Sequence, residues 1–269
     1  QPADFSEKFA DKFLAEGENT IIGQELYQSQ NLYIQITSFR QDNSDVYVAD
    51  IYLRSMDCLQ RGFAGGKWKK TQAKVRVIAQ DNYAVMAMTG DNSQNFTSGW
   101  VVANGNILRK TKNSKRDLCL IYRTGEMVTL KAAQIDHKKI TDEMDQLWQS
   151  FLFGPVLLDE NGKAMTKFNT NVGPANPRSV IGYYEPGHYC LVQVDGRRTE
   201  SRLEKGKINV GMTMKQTSAL MEQLGCAAAY NLDGGQSSVL WYNGENLSNP
   251  YNGGRNVMDA VLILDGAVN

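Results

Sequence analysis

The sequence predicts a single α+β domain, made mainly of antiparallel or mixed β-sheet with a few flanking helices. Short turn signals separate β-favouring runs along most of the chain, and clear helix signals are few. No low-complexity linker or internal repeat interrupts the 269 residues. We therefore expect a main unit at residues 45–269, on which residues 1–44 pack as an N-terminal helix and an edge strand.

The predicted strands are identified by the turns between them. A β-hairpin has two β-rich runs around a short turn whose residues accept positive φ. Such turns occur at Asn104-Gly105, Thr124-Gly125, Asn161-Gly162, Glu185-Pro186-Gly187 and Asn243-Gly244. Apolar residues also alternate with polar ones at residues 32–36 and 46–48, which predicts two half-buried strands near the start of the chain.

The clearest helix signal runs from about Met214 to Leu224. Thr213 is placed as the N-cap, and Gln216 three residues later completes a capping box. Gly225 follows as a helix stop, because glycine readily adopts the left-handed conformation that ends a helix.

Two weaker helices are predicted from apolar spacing. One follows Thr141 and ends at Gly154-Pro155, with an inward face formed by Met144, Leu147, Trp148 and Phe151. The other lies near the start of the chain, where three phenylalanines recur at helical spacing: Phe5, Phe9 and Phe13.

Composition excludes several classes of function. The 29 Lys and Arg residues balance the 29 Asp and Glu residues, whereas a nucleic-acid-binding protein normally carries a basic excess. No apolar run approaches the roughly 18 residues of a membrane-spanning helix, so we expect no transmembrane segment. The chain starts at Gln1 rather than Met. We therefore expect an exported protein, extracellular or at the cell surface, whose signal peptide has been removed.

The cysteines and histidines give no support for a metal site. The four cysteines lie far apart without a Cys-x-x-Cys pair, and the chain has only two histidines. We therefore expect neither a metal nor a cofactor. The cysteines are predicted to be free structural thiols, with one or two disulfides as the alternative in an exported protein. The histidines, His137 and His188, fit no motif and are predicted to lie at the surface or in loops.

The most unusual stretch is residues 230–238, Tyr-Asn-Leu-Asp-Gly-Gly-Gln-Ser-Ser, a polar segment between two predicted strands. Gly234 and Gly235 allow a turn with positive φ whose consecutive N–H groups could hold an anion. Asn231 and Asp233 alternate around Leu232, so both are expected to point to the face opposite Leu232. The alternative is a tight hairpin in which Asp233 bonds its own turn.

This stretch resembles the Asn-Leu-Asp-Gly-Gly-Gly-Ser-Ser signature of the phosphodiester glycosidase family. Other segments that resemble the family's motifs follow in the order that the family requires, and the resemblance covers roughly residues 45 to 265. These segments are Gly154-Pro155, Asn-Pro-Arg-Ser-Val-Ile-Gly at 176–182, Val-Asp-Gly-Arg at 194–197 with Glu200, Gly-Met-Thr at 211–213 and Arg-Asn-Val-Met-Asp at 255–259.

The resemblance implies a catalytic domain at residues 45–269. The reaction implied is hydrolysis of the C1–O bond of a sugar 1-phosphodiester, with an N-acetylglucosamine-like sugar and a phosphomonoester product. It also points to bacterial, exopolysaccharide-associated relatives. The sequence leaves a homodimer open.

This reaction requires a carboxylate that activates water or attacks the anomeric carbon. Asp233 and Asp195 are the first candidates, and Glu200 and Asp91 are the second, since a carboxylate beside arginines can simply orient them.

The departing phosphate calls for cations, and the arginine fork matches phosphate oxygens in pairs. The candidates are Arg178, Arg197 and Arg255. Further predicted substrate contacts are Thr89, Asn231, Gly234, Gly235, Ser237 and Ser238.

Two segments depart from the family pattern. The family usually has Asn-Gly-Asp followed by aromatic residues where this chain has Thr89-Gly90-Asp91-Asn92-Ser93, and Gln236 replaces the third glycine of the signature. Two alternatives therefore stay open: a phosphodiesterase that breaks the P–O bond, and a non-catalytic cell-wall or glycan-binding homologue.

Overall fold

The computed structural model describes residues 1–112 and 115–266. Its largest sheet has seven strands, all paired antiparallel. These are β1 (Ile21–Ile22), β2 (Leu26–Gln28), β3 (Leu32–Gln41), β4 (Ser44–Leu53), β12 (Arg178–Glu185), β13 (His188–Val194) and β14 (Ala228–Asn231). Their order across the sheet is β1-β2-β3-β4-β13-β12-β14. Strand β12 is thus flanked by β13 and by the edge strand β14, which fixes where the signature at residues 230–238 begins.

Three smaller sheets complete the antiparallel architecture. Their strands are β5 (Leu59–Phe63), β6 (Met86–Thr89), β7 (Gly99–Ala103), β8 (Asn106–Thr111), β9 (Leu118–Tyr122), β10 (Met127–Leu130), β11 (Leu147–Phe151), β15 (Leu240–Tyr242), β16 (Glu245–Asn246) and β17 (Asp259–Ile263). The orders are β16-β15-β6-β17-β5 and β10-β9-β11, and β7 pairs only with β8. The predicted α+β class with mainly antiparallel sheet is confirmed.

The described residues contain three α-helices, α1 (Val75–Asp81), α2 (His137–Asp142) and α3 (Met214–Gln223). The predicted helix at 214–224 is confirmed as α3. The Thr213 side chain accepts the N–H of Gln216, and the Gln216 side chain accepts the N–H of Thr213 in return. No helix in the described ranges is long and apolar enough to cross a membrane.

The helix predicted between Thr141 and Gly154 is wrong. Helix α2 ends at Asp142, and Leu147–Phe151 is instead strand β11, all five residues of which are buried. Leu147, Trp148 and Phe151 have the spacing of a helix face, but the strand is buried on both faces and also buries the polar Gln149 and Ser150. Apolar spacing alone does not distinguish such a strand from a helix. Pairing with β9 and the 2.7 Å bond from Trp148 Nε1 to the Leu59 carbonyl hold it extended.

The helix predicted near the start of the chain is also wrong. Residues 6–12 form turns, with one helix-like bond from the N–H of Phe9 to the carbonyl of Phe5. Phe5 and Phe9 are buried because the segment packs over the turn between β12 and β13. Within residues 21–41 the chain adds β1, β2 and β3 to the large sheet, and β3 pairs with β4 along its full length.

The hydrophobic core lies on both faces of the large sheet. One face packs against the five-stranded and the three-stranded sheets, and the core there includes Ile34, Ile51, Leu191 and Leu232. The other face packs against α3, through residues such as Val180, Val192, Met212 and Leu220. Because both faces are covered, the open positions are at the strand ends.

The cysteines are free thiols, and all four are buried. Cys190 Sγ and Cys226 Sγ lie 3.7 Å apart. The prediction for His188 is wrong, because this residue begins β13 and stacks on Tyr52 with ring centroids 3.9 Å apart. Its side chain is 14% exposed, with Nε2 2.6 Å from Asp50 Oδ1.

Candidate active site

Strand register brings the signature segments to one end of the large sheet. Arg178 pairs with Val194 on one side, and Val180 pairs with Asn231 on the other. Asp195 and Asp233 therefore continue the two strands that flank β12. Their backbones are two strand spacings apart, about 10 Å. Segments far apart in the sequence thus meet where the sheet ends.

Asp233 lies beside Arg255 and Ser237. Arg255 Nη2 is 3.5 Å from Asp233 Oδ2, and Arg255 Nε donates to Ser237 Oγ at 2.5 Å. Burial raises the pKa of the Asp233 carboxyl above its usual value, while Ser237 and the charge of Arg255 act in the opposite direction. The arginine side chain itself is 53% exposed. The pair therefore joins a buried carboxylate to a cation that reaches solvent.

Arg197 provides a second solvent-facing cation near the signature turn. It is an exposed residue with φ of 56°, and it donates to Asn176 Oδ1. Its guanidinium lies 5.7 Å from the centre of the Tyr251 ring. A Cβ at Gly235 would lie 3.4 Å from Arg197 Nη2, so the arginine sits against the turn.

The predicted positive φ is confirmed at Gly235, where φ is 60°. Its N–H does not face solvent, however, because it donates to the Pro177 carbonyl at 3.0 Å. A Cβ at Gly234 would lie 2.7 Å from the same carbonyl oxygen. The adjacent glycines therefore allow the backbone at Pro177 to approach closely. The Gly235 N–H was predicted to hold an anion, but it is already bonded to the Pro177 carbonyl.

Asp195 is closed over by a loop. Its side chain is 1% exposed, and it accepts the N–H of Asn249 at 3.0 and 3.1 Å. Burial raises the pKa of Asp195 to about 7, partly opposed by the Asn249 bond. Asp195 thus ties down the loop that carries Tyr251, which faces Arg197, and the catalytic role predicted for Asp195 stays a prediction.

Asp91 belongs to a buried charge network with Arg61 and Asp259. The sequence selected Asp91 as a candidate but did not select Arg61. Its carboxylate accepts the N–H groups of Leu152 and Phe153 and lies 3.6 Å from Arg61 Nη2. Arg61 Nε also bonds Asp259 Oδ2 at 2.7 Å. Burial raises the pKa of Asp91 to about 6, although Arg61 opposes this. The network fixes the backbone of Gly90, whose carbonyl accepts the N–H of Asp233.

Thr89 and Ser238 lie inside the protein. The Thr89 hydroxyl donates to the Ser237 carbonyl and accepts the N–H of Val239 at 3.0 Å. Ser238 Oγ is 2.7 Å from Ser179 Oγ and accepts a bond from the Gln193 amide at 2.8 Å. With exposures of 1% and 0%, both hydroxyls brace the turn rather than face a substrate. Glu200 lies in an exposed bend, and its role stays a prediction.

Arg178 is buried and bonds backbone carbonyls. Its Nε donates to Met212 at 2.9 Å, and its Nη2 donates to Val172 at 2.8 Å and to Pro174 at 2.6 Å. Burial lowers the pKa of Arg178 to about 10, and the charge of nearby Arg197 adds to this effect. In this position Arg178 holds the loop at residues 172–174.

A cleft of about 670 Å³ lies beside this site. Gly154, which lines the cleft, accepts a bond from the Asn231 amide at 2.9 Å, while Asn231 Oδ1 is buried and without a partner among the described residues. Val172, whose carbonyl accepts from Arg178, lines the opposite part of the cleft. None of the predicted carboxylates or arginines lines it.

Several residues of this region were not predicted from the sequence. Arg61, Asn176 and Tyr251 contact predicted residues, and Phe96 and Arg116 line the cleft. Asn176 lies within the segment 176–182 that resembles a family motif, so it could have been selected. Arg61 and Arg116 carry no local pattern, because the Arg61 side chain bonds Ser93 and Asp259, 32 and 198 positions away, and Arg116 contacts Phe96 and Phe153, 20 and 37 positions away.

The buried Asp233 carboxylate has one solvent-facing arginine, Arg255, at 3.5 Å, and a second, Arg197, lies against the same turn. Two such cations can stabilise negative charge on a bound group. The family model described as phosphodiester glycosidase matches residues 75–264 of the chain. The chain therefore belongs to the phosphodiester glycosidase family. No curated protein matches it.

Three solved structures share the fold. The zebrafish N-acetylglucosamine-1-phosphodiester alpha-N-acetylglucosaminidase catalytic domain, auto-inhibited by its pro-peptide, has a TM-score of 0.67 at 17% identity, over 94% of this chain and 86% of that one. A hypothetical protein from Synechocystis has a TM-score of 0.64 at 13% identity, over 92% of this chain and 64% of that one. A candidate exported protein from Burkholderia pseudomallei has a TM-score of 0.55 at 14% identity, over 82% of this chain and 74% of that one. Identities this low establish the fold alone.

Proposed function

We propose that this protein hydrolyses the glycosidic bond of a sugar 1-phosphodiester, with an N-acetylglucosamine-like sugar, to free sugar and a phosphomonoester. The observation that carries the proposal is the contact between the buried Asp233 of the signature segment and the half-exposed Arg255. Family membership supports glycosidase chemistry on phosphodiesters. The name of the zebrafish structure supports the choice of sugar.

In the proposed reaction Asp233 acts on the sugar side of the bond. Its carboxylate takes a proton from water while the water oxygen forms a bond to C1 and the C1–O bond breaks. The raised pKa of Asp233 makes it a stronger base than an ordinary aspartate. The bridging oxygen leaves with the phosphate, so no protonated acid is required to expel it.

Arg255 and Arg197 act on the phosphate side. As the C1–O bond breaks, negative charge grows on the leaving phosphate, and two nearby guanidinium groups lower the energy of that state. Both side chains reach solvent, so a substrate can reach them. Asn231 offers a buried amide oxygen without a partner in the described structure, which a sugar hydroxyl could bond.

The experiment is hydrolysis of N-acetylglucosamine 1-(methyl phosphate) in ¹⁸O-labelled water, followed by mass spectrometry. The proposal requires the label in the released sugar and none in methyl phosphate. Label in the phosphate would establish P–O cleavage and identify a phosphodiesterase. Saturable binding without turnover would identify a glycan-binding homologue. The Asp233→Asn variant is the control, because it lacks the proposed base.

A further inference from the structure

The cleft beside the candidate site is lined by cations and aromatic rings. Lys112, Lys115 and Arg116 line it, together with Phe96 and Phe153. Its volume of about 670 Å³ falls within the range of roughly 300 to 1,000 Å³ that is usual for ligand sites. Such a lining suits a ligand that has both negative charge and sugar-like faces.

Arg116 is held in place within the cleft. Its guanidinium carbon lies 3.8 Å from the centre of the Phe96 ring, and its Nη1 donates to the Phe153 carbonyl at 3.5 Å. The Phe96 and Phe153 rings lie 6.5 Å apart. Stacking fixes the plane of the guanidinium, so less freedom is lost when an anion binds.

Among the described residues of the lining, the acidic side chain, Asp117, does not cancel this charge at the surface. Asp117 is 3% exposed, and its oxygens accept the N–H groups of Ala132 and Val156 and the amide of Asn169. Its charge is therefore directed into the protein. Lys112 and Lys115 are exposed, and Arg116 is half-buried. The open side of the cleft is positive.

The wall of the cleft is hydrogen-bonded to the chain segment that leads to Asp233. Gly154 is bonded to Asn231, and Asp233 follows two residues later, about 7 Å of extended chain. Asp91 holds the N–H of Phe153 at 2.7 Å, and Arg178 holds the Val172 carbonyl. These contacts place the wall of the cleft close to Asp233, so the aglycone of a substrate cleaved there is the part within reach of the cleft.

We propose that the cleft binds the aglycone of the substrate, and that this aglycone is an anionic carbohydrate with carboxylate or phosphate groups beyond the scissile phosphodiester. The inference rests on the proposed function for the position of the cleaved bond. The inference goes beyond the proposed function by assigning the chemical class of the aglycone. Amide and hydroxyl side chains of the lining, such as Asn171 and Thr170, are suited to sugar hydroxyls.

The test compares aglycones on one sugar 1-phosphate: methyl, a neutral disaccharide, a uronic-acid disaccharide and a phosphorylated disaccharide. We expect kcat/KM about ten-fold higher for the charged disaccharides than for the neutral one, a preference that falls as salt rises. Arg116→Gln and Lys112→Gln should each reduce that ratio about three-fold. Arg76→Gln, an exposed arginine on α1, should leave it unchanged.

The uronic-acid and phosphorylated disaccharides separate the two sources of charge. Equal rates for charged and neutral disaccharides, or a ratio unchanged in both cleft variants, would overturn the inference. If no substrate is hydrolysed, the proposed function fails, and calorimetry with the phosphomonoester of each charged disaccharide then decides the inference alone. Salt-sensitive binding that Arg116→Gln weakens supports it, and absence of binding overturns it.

Discussion

Asp233 combines a buried carboxylate with a cation at 3.5 Å. Asp233→Asn removes the proposed base but keeps the size of the side chain, so kcat should fall by about 10³-fold. The wild-type rate should fall at acidic pH, with a midpoint above the usual aspartate pKa, because the base must be unprotonated and burial raises its pKa. Thermal unfolding checks that the variant folds. A variant with wild-type kcat would show that Asp233 is not the base.

Arg255 and Arg178 differ in what their guanidinium groups contact. Arg255→Gln should slow hydrolysis of the phosphodiester more than that of an uncharged activated glycoside, because only the phosphodiester develops phosphate charge. Arg178→Ala should slow both substrates alike, since its partners are backbone carbonyls. Paired measurements of kcat/KM check this. A selective effect of Arg178→Ala would restore it as a phosphate ligand.

Asp195 should make the free energy of unfolding fall as the pH rises. Burial raises its pKa in the folded protein to about 7 from the ordinary 3.8. Its contribution to stability is then fully present below the unfolded-state pKa and is lost as pH rises through about 7. Asp195→Asn should abolish that loss, so the variant should gain about 2 to 4 kcal/mol over wild type between pH 4 and pH 8. Urea unfolding across this range measures it, and parallel pH curves for both proteins would contradict it.

At the scale of elements, the turn after β14 depends on glycine conformation. Gly235 has φ of 60°, which asparagine tolerates and valine does not. A Cβ there would also approach Arg197. Gly235→Val should therefore reduce kcat/KM more than it reduces stability, whereas Gly235→Asn should keep more of both. Kinetics and thermal unfolding of the two variants test this, and an unchanged rate for Gly235→Val would show that the turn has no part in activity.

Local signals predicted the elements that local interactions decide. The hairpin at Asn104-Gly105 and helix α3 follow from residues within a few positions, and both are confirmed. The strand at Leu147–Phe151 does not follow from nearby residues, because its conformation is set by pairing with β9, more than 20 residues earlier. The same holds for the site. The sequence selected Asp233 and Arg255, but the partners of Arg178 follow only from how the loop at residues 172–174 folds.

At the scale of the whole molecule, Arg61 joins separate parts of the fold. It lies on β5 and bonds Asp259 on β17, the Ser150 carbonyl on β11 and Ser93 Oγ. Its side chain is fully buried. Arg61→Met would leave the carboxylates of Asp91 and Asp259 without their cation, and we expect a loss of about 3 to 5 kcal/mol in the free energy of unfolding.

Urea unfolding measures this loss. Arg54→Met, at a partly exposed arginine just after β4 of the large sheet, is the control and should change stability by less than about 1 kcal/mol. A loss for Arg61→Met no larger than that of the control would show that the network does not hold the parts together.

Arg178 secures one wall of the cleft entirely through main-chain oxygens of residues 172 and 174. A hydrogen bond to a main-chain carbonyl does not depend on the side chain of the residue that carries this carbonyl. The side chains at Asn171 and Val172 can therefore vary in evolution or in a mutant library without loosening that anchor, whereas Asn169 bonds Asp117 and Thr170 accepts the N–H of Val172. Selection on this short stretch offers a route to related enzymes that accept different glycans on an unchanged scaffold.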